Sequence, residues 1–172
     1  MEKNKNSRGK IMSNIELLKK TGLFDGLSDE DIIKIASGCM EKEYPIGSVL
    51  IEENEPPKEM LFIVKEGEVA VSTSNVDADE TENESTMLAT FGPGEAVGEI
   101  SLVDKNPHSA TVRAMSDSKI LLLPASYFYS LVEQDKNIGY VVMRNIATVM
   151  CNRLRTSNFA VKHFGLWGKT DD

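Results

Sequence analysis

Hydrophobic positions change period along this chain, and the changes divide it into elements. Ile11, Ile15 and Leu18, with Leu17 beside them, fall on one helical face that runs to about Lys20. Ser28 stands before Asp29-Glu30-Asp31, an N-cap followed by acids that suit the first turn of a helix. Ile32, Ile33, Ile35 and Ala36 give that helix its apolar side, and Gly38 suits its end. From Lys42 to Phe91 the period drops to two. Val49–Ile51, Met60–Val64, Val69–Val71 and Met87–Ala89 read as short strands, separated by turn chemistry at Pro45-Ile46-Gly47, Glu55-Pro56-Pro57 and Lys65-Glu66-Gly67. Ala110–Ala114 alternates like a further strand, and Ile120–Leu123 reads as a last, buried one. Many short strands at such spacing predict a closed or double-sheet β architecture.

Helical period returns at the C-terminal end. Pro124-Ala125-Ser126 opens a helix with proline near its first turn. A second, long helix is expected over 137–158, about 30 Å at about 1.5 Å per residue. Its flank of Val142, Met143, Ile146, Val149, Met150 and Leu154 is wider than a sandwich edge alone would need, and either packs on the β-domain or forms a homodimer contact through this helix. The polar residues Met1–Lys10 are expected as a disordered tail, making 1–22 a tail and helix ahead of the β-domain at 23–136. Residues 159–172 are expected as a tail whose Phe159, Val161, Phe164, Leu166 and Trp167 dock on the core.

Composition narrows the chemistry. A net charge of −8 disfavours a nucleic-acid partner, which needs clustered Lys and Arg. No apolar run approaches a membrane span and no signal core follows the basic N-terminus, so the expectation is a cytoplasmic protein with no membrane partner. Cys39 and Cys151 lack metal-ligand spacing, and the two histidines, His108 and His163, lie far apart; no metal, no cofactor and no catalytic residues are expected. Asn75–Thr86 carries five acids and no base, but Glu82 and Leu88 occupy the positions where a calcium loop needs Gly and Glu. A solvated hairpin loop is the better reading.

The chemistry concentrates in Phe91–Met115, FGPGEAVGEISLVDKNPHSATVRAM. Its glycines permit positive φ and close approach to a ligand. Gly98-Glu99-Ile100-Ser101-Leu102, then Pro107-His108-Ser109-Ala110, resembles the phosphate-binding cassette (91–112) of the cyclic-nucleotide-binding domains, the sensors of catabolite-activator regulators, protein kinase A regulatory subunits and nucleotide-gated channels. Met60–Val71 is similar to the family's strand core, with Asn54 standing where a glycine is usual. The resemblance implies an eight-stranded β-roll, or jelly roll (double-stranded β-helix), flanked by N-terminal helices and a long C-terminal helix.

It also implies roles. Glu99 would accept the ribose 2′-hydroxyl of cyclic AMP or cyclic GMP. Gly98, Ile100 and Ser101 would present N–H groups, and Ser109 a hydroxyl, to the phosphate. Ser157 or Asn158 would meet the purine edge. One position departs: His108 stands where the family has the arginine that pairs with the phosphate. If His108 fills that role as a cation, binding should tighten in acid, since free histidine titrates at about 6.5; Lys105 is another source of charge in the same loop. Other readings stay open: Glu99 as a turn cap, His108 as a loop residue, Ser109 as a strand-edge hydroxyl. The function expected is a free-standing regulatory module that signals through its C-terminal helix to an unknown effector protein. The alternative keeps the fold but not the ligand, as a protein-interaction or dimerisation module or a site for another anion.

Overall fold

The computed structural model describes residues 2–74 and 85–167. Most of the Asn75–Thr86 loop lies outside them. Among the described residues eight strands form two four-stranded sheets in which every pair is antiparallel. In one sheet the order is β1 (Met40–Tyr44), β8 (Ser118–Pro124), β3 (Met60–Glu66) and β6 (Ala96–Val97). In the other it is β2 (Val49–Ile51), β7 (Thr111–Ala114), β4 (Val69–Ser74) and β5 (Ser85–Phe91).

Strands β3 and β8 explain their own unbroken apolar runs. They pair in the register Leu61↔Leu123, Phe62↔Leu122, Ile63↔Leu121 and Val64↔Ile120. Alternate residues then face opposite sides. Phe62, Val64, Ile120 and Leu122 pack between the sheets with Leu50, Ile51, Val69, Val97 and Val112. Leu61, Ile63, Leu121 and Leu123 pack outward against the helices. A strand buried on both faces loses the polar alternation of a half-buried one.

The helical side is built from α1 (Glu2–Lys20), a 3₁₀ turn at Gly22–Phe24, α2 (Asp29–Ser37), α4 (Ala125–Gln134) and α5 (Lys136–Trp167). The α2 cap is as expected: Ser28 Oγ accepts from the Asp31 N–H at 3.2 Å while Asp31 Oδ2 accepts from the Ser28 N–H at 3.3 Å. Gly38 follows, under the Tyr127 ring, whose hydroxyl donates to the Lys34 carbonyl at 2.8 Å. On α5, Ile138, Val142 and Ile146 are buried in the outer core, and Asn145 donates to the Leu23 and Asp25 carbonyls. No described helix is long and apolar enough to cross a membrane.

Two expected segments differ. The stretch read as a disordered tail, Met1–Lys10, is helical from Glu2, continuous with the Ile11–Lys20 face. No proline interrupts it, and Lys10 is tied to Glu41 on β1 at 3.0 Å. At the other end the helix expected to stop at Asn158 continues to Trp167, through residues with no proline to break it. Phe159 is exposed on this extension instead of docked on the core.

Candidate functional site

Between the cassette, sheet β2-β7-β4-β5 and helix α5 lies a cavity of about 570 Å³. Its cassette wall is positioned by Gly98, which has φ +87° and caps the short helix α3 (Glu99–Asp104). A Cβ on Gly98 would sit 3.0 Å from the Met60 carbonyl and 3.3 Å from the Phe62 ring, so the turn is pressed onto β3. Ser101 Oγ donates back to the Gly98 carbonyl at 3.0 Å and braces it. That geometry turns Glu99 inward, where it is buried. The turn at Asn54 also forms as expected, with φ +64°.

Of the residues expected at the site, Gly98, Glu99, Ile100, Ser101, His108, Ser109 and Ser157 all line this cavity. Asn158 does not. It follows Ser157 on α5, and one residue of helix turns a side chain by about 100°. Sequence reading missed Arg153 as a site residue. Its Nη1 donates to Glu99 Oε1 in a close ion pair, and its guanidinium lies over the Phe91 ring, 5.3 Å from the centroid. Asn152 and Thr156 line the same wall. Fifty-four positions separate Glu99 from Arg153, so only the fold reveals the pair.

His108 is held differently from a phosphate-binding cation. Its Nε2 accepts the Lys58 N–H at 3.1 Å, its own N–H donates to the Glu55 carbonyl at 3.2 Å, and its carbonyl accepts from Asn54 at 2.8 Å. The residue staples the cassette to the loop before β3. Burial, and then the Lys58 charge, hold its pKa below the ordinary histidine value. An acceptor Nε2 requires the neutral ring with its proton on Nδ1. The expectation of a cationic His108 at mildly acid pH is therefore revised: protonation would break the Lys58 bond. Lys105 is no substitute, since its ammonium lies 5.2 Å over the Tyr129 ring and does not line the cavity.

The model of the cyclic nucleotide-binding domain matches residues 41–135, more than half of the chain. The chain belongs to the cyclic nucleotide-binding domain family. It is 28% identical to the cyclic AMP receptor protein of Thermus thermophilus over 82% of this chain and 61% of that one. It is 29% identical to a cyclic nucleotide-gated potassium channel of Mesorhizobium japonicum over 78% of this chain and 34% of the channel. The chain thus spans between a third and three-fifths of these relatives' length. Among solved structures, the Thermus thermophilus catabolite activator protein superposes with a TM-score of 0.70 at 26% identity, covering 84% of this chain and 63% of that one. A regulatory domain of protein kinase A from Toxoplasma gondii, crystallised with cyclic AMP, gives 0.63 at 27% identity, covering 71% of this chain and 44% of that one. A cyclic nucleotide-binding domain from Methylobacillus flagellatus gives 0.74 at 22% identity over 94% of this chain and 85% of its own, which bears on the fold.

Proposed function

We propose that this domain is a non-catalytic sensor that binds cyclic AMP or cyclic GMP in the cavity and transmits occupancy through α5. The observation that carries the reading is the Glu99–Arg153 pair, which makes one wall of the cavity out of both cassette and helix. A ligand seated against Glu99 touches α5, so binding and helix position are coupled through contact. The cavity volume lies within the range of about 300–1,000 Å³ usual for small-ligand sites. Glu99 takes the ribose hydroxyl, the Gly98–Ser101 backbone and Ser109 face the phosphate, and Ser157 faces the base. Output passes to an effector protein or to a second copy of the chain through α5.

The test is calorimetric titration with each nucleotide at pH 6 and pH 8. Saturable binding of similar strength at both values is expected, because the His108 ring is engaged by the Lys58 N–H and burial favours its neutral form, so it is not the ligand's cation. A flat trace at millimolar nucleotide would remove this reading. It would favour a second one, a β-roll kept for protein interaction or dimerisation, whose motive is that His108 is spent on Lys58 and offers no charge to an anion.

A further inference from the structure

The cavity has a charge problem that its sequence motif does not solve. Among its lining residues only Glu99 and Arg153 carry full charges, and they are opposite. The wall is otherwise largely apolar, with Ile51, Val71, Leu88, Val97 and Val112. An anion entering such a site gives up water and needs a cation in return. Three nearby cationic candidates are committed elsewhere. His108 has its Nε2 lone pair on the Lys58 N–H. The Lys58 ammonium donates to the Leu50 carbonyl at 2.6 Å. Lys105 sits over Tyr129.

Arg153 remains. Its contact with Glu99 uses Nη1 alone, and among the described residues no acceptor meets Nε or Nη2. The guanidinium lies over the Phe91 ring, a contact that favours its place at the cavity wall although the side chain is partly exposed. Glu99, its partner, opens α3 directly after Gly98, so the ion pair ties the guanidinium to the cassette helix whose first turn is assigned to the phosphate.

We infer that Arg153, on α5, supplies the positive charge for the ligand's cyclic phosphate in this chain, bridging Glu99 and the phosphate in place of a cassette arginine. This rests on the nucleotide reading above and deepens it. The cation that a cassette arginine would hold on the β-roll is here moved onto the helix. Ligand charge then acts directly on the helix, and α5 cannot leave the cavity without surrendering the phosphate contact.

The test compares a cyclic nucleotide with its neutral methyl phosphotriester, on the parent chain, Arg153→Gln and Arg153→Lys. A charge-assisted contact corresponds to on the order of tenfold or more in affinity. The parent is expected to prefer the charged diester by about tenfold or more. Arg153→Gln should lose that preference, and Arg153→Lys should keep part of it. Because Arg153→Gln leaves the buried Glu99 without its partner, the double variant Glu99→Gln/Arg153→Gln is measured too, with thermal melts confirming the fold. It should likewise bind diester and triester equally. If the variants lose affinity for both ligands alike and the preference persists, Arg153 only positions Glu99 and the inference fails. If the parent binds neither ligand, the nucleotide reading itself fails and carries this inference with it.

Discussion

At the scale of single residues, His108 links the site to stability. A histidine whose pKa falls on folding binds fewer protons in the native state than in the unfolded chain. Its contribution is complete above about 6.5, the unfolded value, and is lost as pH falls toward the depressed folded value. Melting temperature should therefore decline between about pH 7 and pH 5, and His108→Gln, which cannot titrate, should flatten that decline. An unchanged slope in the variant would place the proton uptake elsewhere. The Asp31, Glu41 and Glu53 carboxylates are all held below their ordinary range, so their stabilisation is lost only in stronger acid. Gly38 offers a purely steric test. Its φ of −95° suits any residue, yet a Cβ there would lie 2.1 Å from the Tyr127 ring. Gly38→Ala should cost about 1–3 kcal/mol or more through overpacking, read as a lower denaturation midpoint at unchanged slope.

At the scale of elements, α5 is two helices in one. Ile138 is fully buried against the outer core, whereas Leu154 is 61% exposed. Ile138→Ala should cost about 2–5 kcal/mol of stability. Leu154→Ala should stay within about 0.5 kcal/mol. If the distal half joins two copies, Leu154→Ala should instead weaken association in sedimentation. What the sequence disclosed of these elements follows from their physics. Strands β2, β3, β4, β7 and β8 showed themselves because burial writes apolar residues at period two or in a run; β5 showed through Met87-Leu88-Ala89 although none of these is buried, Leu88 and Ala89 lining the cavity instead. β1 was hidden because of its five residues only Tyr44 is buried, and β6 because two residues carry no period. The cassette was legible as a local string, down to the left-handed Gly98. Arg153 and the His108 staple were not, since each depends on groups that meet only after the sheets close: Glu99 across 54 positions, the Lys58 N–H across 50.

For the molecule as a whole, the two cysteines report on folding at little experimental cost. Cys39 is partly buried, its Sγ on the Ile35 carbonyl at 3.3 Å, and burial pushes its thiol pKa up to about 12. Cys151 lies exposed on α5. Thiol reagents should modify one site quickly in the native protein and two in denaturant; two fast sites in the native state would mean that the α2 end is open.

The larger consequence comes from β3 and β8, whose alternate side chains furnish the inter-sheet core with one face and the helical core with the other. Neither core can melt while the other keeps those strands extended, so the chain has no seam along which to come apart. Calorimetry should record a single heat-absorption peak whose measured enthalpy equals its van't Hoff enthalpy. In amide exchange, Leu61–Val64 and Ile120–Leu123 should be the slowest protons of all, released only with the whole fold.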